Sequence, residues 1–211
     1  MEYQDKEIVL ELKNNDFGGF AKADHFLRSG QHIQDHKSQK RSYQFIEDNY
    51  PFLYEFYEKV YKTKLSYYQN INGKFYFLDY FDEVKSKLSK ESLKQKSTLF
   101  AIFLYMLHRV EKRFSTTLTK QELVEVLNTH QKIRPHIHRI FLGAEKEDTA
   151  PTQTTIYKWV SDSLRDLEKL GWTQTLDEDS EQFELLPAFE RIGLIYADAI
   201  NNIDEIRTTN D

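Results

Sequence analysis

Cysteine is absent from this chain of 211 residues. Its absence closes disulfide frameworks, thiolate-zinc sites and cysteine nucleophiles. There is no glycine-rich phosphate loop of the Walker type and no Gly-x-Ser-x-Gly elbow, so the usual signatures of nucleotide hydrolysis and serine hydrolysis are missing. The longest apolar run, Leu99 to Leu107, is about half of what a membrane-spanning helix needs. The opening residues Met1-Glu2-Tyr3-Gln4-Asp5 are polar and acidic, unlike a secretory signal. These absences predict a soluble, cytosolic protein that is not an enzyme and carries no cofactor. Acidic residues do cluster, as in Asp177-Glu178-Asp179, but a solvated turn accounts for them.

Aromatic residues are plentiful, with 15 Phe and 13 Tyr. That composition favours a packed core or a partner surface over disorder. The net charge of −5 hides an uneven distribution: residues 1–84 carry −3, residues 85–142 carry +8 and residues 143–211 carry −10. A basic middle beside an acidic end fits two different partners, or one partner and a region that repels it. Chance clustering on solvated faces is the plainer alternative.

Two segments repeat one theme, an amphipathic helix running into a β-hairpin. In the first, Tyr43, Ile46, Tyr50, Leu53, Phe56, Val60 and Tyr61 recur at steps of three and four. A hairpin follows, from Leu65 to Gln69 and from Lys74 to Leu78. Asn72-Gly73 is expected to be the centre of a type I′ turn, where both residues need positive φ. Pro51 predicts a kink or a junction of two helices. In the second segment Ile156, Trp159, Val160, Leu164 and Leu167 form the stripe and Gly171 ends the helix. Trp172–Thr175 and Gln182–Leu186 then make a hairpin around an acidic turn. A strand alternates its faces, so about half of the hairpin aromatics Tyr67, Tyr68, Phe75, Tyr76 and Phe77 are expected in the core. The others are left for a partner or for stacking on bases.

Elsewhere, residues 3–13 read as a short helix and Gly18-Gly19 as a break. Phe20 to Ser29 reads as a helix with Gly30 at its C′ position, and Ile33 as part of a short strand. Residues 82–89 read as a linker, and a helix is expected from Lys90 to Phe114. Thr119-Lys120-Gln121-Glu122 is a capping box opening a short helix with Leu123, Val126 and Leu127 inward. Residues 129–152 read as a loop, with at most a short helix near Ile137–Leu142. A last helix runs from Pro187 to Ile203. The predicted fold class is mainly α with small β-hairpins (α+β), as tandem winged-helix domains over residues 1–85 and 86–211. The second domain carries an extra C-terminal helix.

Leu27-Arg28-Ser29-Gly30-x-His32-Ile33 resembles the N-terminal pattern of the MukE/MksE family, the accessory subunits of bacterial condensin-like SMC complexes. Leu53-x-x-Phe56-Tyr57 before a hairpin ending Phe75-Tyr76-Phe77-Leu78 is similar too. So are Thr119-x-Gln121-Glu122-Leu123 and Ser163-Leu164-x-x-Leu167-x-x-Leu170-Gly171. The resemblance is collinear over residues 17–195. It implies a non-catalytic subunit that forms a homodimer and binds a kleisin (MukF/MksF-like). Through that kleisin it would meet an SMC ATPase (MukB/MksB-like), in the cytoplasm and at the nucleoid. The implied role is chromosome segregation or plasmid defence, with DNA bound non-specifically in the complex and no membrane partner.

One departure concerns the helix before Leu170-Gly171. Where the resemblance leads one to expect a basic run, this chain has Arg165-Asp166-Leu167-Glu168-Lys169. Carboxylates facing phosphates weaken nucleic-acid binding. The candidate phosphate contacts therefore lie elsewhere, at Lys132, Arg134 and Arg139 in a loop with His130, His136 and His138, and at Lys37, Lys40 and Arg41. The alternative for these cations is solvated surface. His32-x-x-x-His36 and His136-x-His138 have metal-like spacing but lack a third ligand, so no metal is expected. His32 is expected to anchor the turn after Gly30. A stand-alone winged-helix transcription regulator is the competing function. It would read bases with Tyr157, Lys158, Ser161 and Arg165, against the nearby Asp162 and Asp166.

Overall fold

A computed structural model describes residues 16–80, 93–142, 151–177 and 179–202. The predicted helix at residues 3–13, the linker at 82–89 and the end of the last helix lie outside them. The described chain is mainly helical with two small antiparallel sheets. It divides into two compact units, Met1–Glu91 and Ser92–Asp211.

The first unit opens with α1 (Phe17–Arg28). Gly18 and Gly19 do not break the chain but form the first turn of this helix. The Asp16 carboxylate accepts the Gly19 amide at 2.9 Å, and a Cβ at Gly19 would sit 3.0 Å from the Phe45 ring. Glycine there lets the cap close and α1 approach the next helix. At the far end, Gly30 (φ 84) lets its own amide reach Leu27 O at 3.1 Å and that of Gln31 reach Phe26 O at 2.9 Å. This is the double bond of a Schellman stop.

β1 (Ile33–Gln34) leads to α2 (Lys40–Phe56). α2 bends at Asn49 (φ −122, ψ 18), two residues before Pro51. The Asn49 side chain donates to Phe45 O at 2.9 Å, satisfying a carbonyl at the bend. The helix then widens into a π-turn, Tyr57–Tyr61, closed by left-handed Lys62 (φ 52). The extra residue in that turn shifts the helical phase. Tyr57, four residues after buried Leu53, is still on the inner face, while Val60, further into the turn and expected inside, is 57% exposed.

β2 (Thr63–Asn70) and β3 (Gly73–Tyr80) complete the unit in the sheet order β1-β3-β2. Asn70 pairs with Gly73, so the turn residues are Ile71 and Asn72 and not Asn72-Gly73. Among the described residues only Lys62, Lys112 and Glu181 are non-glycines with positive φ, which excludes the type I′ geometry at Asn72. The Asn70 side chain stabilises the tighter turn by accepting the Asn72 amide at 2.8 Å. Phe75 and Tyr76 are neighbours on opposite faces of β3, yet each is 1% exposed. The expected half-in, half-out division of the hairpin aromatics thus fails at Phe75, which packs on the His32, Tyr68 and Phe77 rings.

The second unit is built on α3 (Gln95–Tyr105) and its π-turn, Met106–Val110. Phe100, Ala101, Ile102, Phe103 and Leu104 are all buried. A helix apolar all round belongs in a core, and this one explains the long apolar run. No helix among the described residues is long and apolar enough to cross a membrane. α3 does not continue to Phe114. The π-turn ends it and left-handed Lys112 (φ 53) turns the chain, leaving Val110 60% exposed.

β4 (Thr117–Thr119) precedes α4 (Lys120–Thr129), whose predicted capping box forms. The Glu122 amide donates to Thr119 Oγ1 at 3.2 Å and the Thr119 amide to Glu122 Oε2 at 2.7 Å. The expected loop after residue 129 is in large part α5 (Ile133–Leu142). Pro135 sits in its first turn, where no intrahelical amide bond is lost, and Ile133 and Ile137 are buried. α6 (Gln153–Lys169) is capped by Thr152 and stopped at Gly171 (φ 70) by a second Schellman pair.

β5 (Thr173–Asp177) and β6 (Gln182–Leu185) follow, in the sheet order β4-β6-β5. The C-terminal helix is not continuous. A 3₁₀ turn with Pro187 at its start leads into α7 (Arg191–Ile195), and α8 (Ala197–Asn201) follows a break at Tyr196. Each unit therefore joins a short first strand to the second strand of a hairpin that follows a long helix.

Candidate functional site

α6 and the hairpin after it present the face on which the regulator reading depends, and carboxylates close that face. Glu181 occupies a left-handed position (φ 54) where the hairpin returns. Its carboxylate accepts the Tyr157 hydroxyl of α6 and faces Lys120 Nζ at 3.5 Å, while its carbonyl takes the Lys120 amide at 3.2 Å. The Tyr157 hydroxyl is pushed up by that hydrogen bond. Glu168 accepts the Thr175 amide at 2.9 Å. A phosphate backbone entering this cleft would meet Glu168 and Glu181.

The predicted cations fall in two separate units. Lys132 and Arg134 are exposed in the turn before α5 and in its first coil, and Arg139 is exposed further along the same helix. Five residues on a helix turn the side chain by about 140°, so Arg134 and Arg139 diverge. The histidine among them at 130 is a packing element. His130 is 5% exposed, its Nε2 meets Glu111 Oε2 at 2.9 Å and its Nδ1 accepts the Ile133 amide at 3.2 Å. Burial raises the Glu111 carboxyl, but hydrogen bonds from His130 and Arg113 outweigh it and hold the group below its usual range. The His138 side chain lies outside the described residues.

In the first unit Lys37 and Lys40 are exposed. Arg41 is bound to Asp16 at 2.7 Å, which steadies the cap of α1 and holds the Asp16 carboxyl low. His32 is buried between the Phe75 and Phe77 rings, and its carbonyl accepts Gln39 Nε2 at 2.9 Å. Among the described residues no group of three or more His, Cys, Asp or Glu could hold a metal. On the same unit Glu47 accepts the Tyr76 hydroxyl and Lys74 Nζ, each at 2.8 Å. Lys74 lies 4.6 and 4.7 Å from the Tyr67 and Tyr76 ring centres. Burial raises the Glu47 carboxyl, while Lys74, Tyr76 and Tyr43 together bring it below its usual range.

A groove of about 690 Å³ runs between the start of α3 and the flank of α6. Lys94, Lys96, Lys158, Arg165 and Lys169 line it, against Asp162 and Asp166. Trp159 Nε1 donates to Lys96 O at 3.1 Å, and Lys96 Nζ lies 4.5 Å from the Phe141 ring centre. Lys158 and Arg165 stand out in the sequence only as base contacts of a regulator, and their grouping with Lys94 and Lys96 is not legible there because the two halves are far apart along the chain. Lys94-x-Lys96 ahead of an apolar helix was the one local sign of it.

A family model described as condensin complex protein MksE matches residues 19–193. No curated protein matches the chain.

Proposed function

The chain belongs to the MksE family of condensin complex proteins, and from that premise we propose that it is a non-catalytic accessory subunit of a bacterial SMC complex. The observation that carries the reading is the extent of the match, residues 19–193, which runs through both compact units. In each unit a helix and a short strand precede a hairpin, with one bent helix between strand and hairpin in the first and three helices in the second, an order that supports a tandem winged-helix protein with domains over residues 1–85 and 86–211. In this reading the subunit dimerises, binds a kleisin and acts on the SMC ATPase through it. The setting is cytoplasmic and nucleoid-associated, in chromosome segregation or plasmid defence. Lys132, Arg134, Arg139, Lys37, Lys40 and Arg41 are the candidate non-specific phosphate contacts in the assembled complex, with Arg41 ion-paired to Asp16.

The carboxylates at the α6–hairpin cleft count against a stand-alone transcription regulator. Size-exclusion chromatography with light scattering, on the chain alone and with a candidate kleisin from its gene neighbourhood, tests the proposal. A dimer that enters a larger complex of defined mass is expected. A chain that ignores the kleisin and shifts one specific DNA fragment by itself would replace it with the regulator.

A further inference from the structure

We infer that the groove between α3 and α6 docks an acidic, extended peptide segment of a complex partner, a reading that rests on the accessory-subunit function proposed above. The two carboxylates in the groove are already engaged. Asp162 faces Arg165 at 3.6 Å, and Asp166 faces Lys169 at 3.6 Å and accepts the Ser97 hydroxyl at 2.8 Å. Lys94 and Lys158 are exposed and have no ion pair among the described residues. Internal pairing therefore leaves a cation surplus in a concave site of a protein whose net charge is −5. The wall of the groove adds an independent sign. Ser163 is 1% exposed, and its hydroxyl has no hydrogen-bond partner. Buried polar atoms are nearly always paired, so an orphan lining a groove points to a ligand.

Two properties favour a peptide over a nucleic acid. The first is size: a volume of about 690 Å³ suits a side chain or short strand, whereas duplex DNA is read by an element that enters its own wide groove. The second is the mixture of charges. A phosphodiester chain is anionic at every unit and would meet Asp162 and Asp166 as well as the lysines. A peptide can set Asp or Glu side chains over Lys94 and Lys158 and turn its amides toward Ser163 and the aspartates.

The test is fluorescence anisotropy on the full chain with a short labelled peptide of alternating glutamate and glycine, and with a single-stranded oligonucleotide of equal charge. The proteins are the wild type, Lys94→Glu/Lys158→Glu, and the charge-matched control Lys22→Glu/Lys64→Glu, at two exposed lysines outside the groove. Both lysines of the first pair are exposed, so the core is untouched, and thermal melting checks it. The expected result is salt-sensitive peptide binding that the groove variant weakens about tenfold or more, with the control unchanged. No binding by the wild type, equal binding by the groove variant, or tighter binding of the oligonucleotide overturns the inference. Co-purification with the kleisin separates the two readings. Equal capture by wild type and groove variant removes the groove from the interface but leaves the subunit function standing. Capture by neither counts against the subunit function itself.

Discussion

His108 lies in the π-turn that ends α3, with a residue exposure of 6%. Its Nδ1 donates to Phe114 O at 3.0 Å, while Nε2 has no partner. A proton on Nε2 would be buried without a hydrogen bond, so burial pushes the His108 pKa below its ordinary value of 6.5. The unfolded chain then binds the proton more readily than the folded one. Stability is fully present above the unfolded value and falls as pH drops through it toward the lower folded value. The expected outcome is a melting temperature that declines between pH 7 and about pH 5.5, before carboxylates titrate. His108→Asn retains a donor for Phe114 O and cannot take up the proton, so it should flatten that part of the profile. Identical slopes for the two proteins would show that His108 is not responsible. At Thr119 the capping box makes a simpler prediction: Thr119→Ala should cost about 1 kcal/mol in urea unfolding, the usual value of a lost N-cap. A loss under a few tenths would mean that water replaces the hydroxyl. His108 was hidden in the sequence, because its burial depends on where α3 ends. The Thr119 cap was readable, because it needs only residues within one turn.

Helix ends and helix interiors differ in how far they can be read. Gly30 and Gly171 announced the ends of α1 and α6, since a left-handed C′ residue is a local requirement and glycine meets it without strain. The π-turns at Tyr57–Tyr61 and Met106–Val110 left no such mark. Periodicity assumes a constant turn, so it sets Val60 inward, and the structure sets it outside. Pro135 misled in the other direction, because a proline in the first turn looks like a loop when the helix start is unknown. The glycines of α1 give a paired prediction. Gly18 has no positive φ and its added Cβ would meet only ordinary contacts at 3.6 Å. Gly18→Ala should therefore stabilise by about 0.5–1 kcal/mol, through a less flexible unfolded chain. Gly30→Ala should destabilise by about 1–2 kcal/mol, because alanine at φ 84 is strained. Urea titration of both variants checks this, and the same sign for both would show that α1 does not end or begin as described.

Over the whole molecule, the family match covers residues 19–193, and the motifs that resemble the family lie in the same order over residues 17–195, which is readable without coordinates. The groove is not, because Lys94 and Lys158 meet only after α3 packs on α6. The charge pattern falls between these cases: residues 85–142 carry +8 and residues 143–211 carry −10. The sequence suggested one basic loop at 132–139, but α5 turns Arg134 and Arg139 to different sides. Three phosphate contacts on one duplex would make log K fall against log salt with a slope of about −2.7. Divergent side chains cannot all reach one duplex, and the acidic third of the chain adds repulsion. The isolated protein should therefore bind random-sequence duplex DNA weakly, with a slope shallower than about −2. Lys132→Glu/Arg134→Glu should reduce that slope further, while Arg139→Glu alone should change it less. Anisotropy of a labelled duplex across a salt series measures all three. A wild-type slope of about −3 or steeper would mean that the cations act as one patch after all. DNA binding would then belong to this subunit by itself and not to the assembled complex.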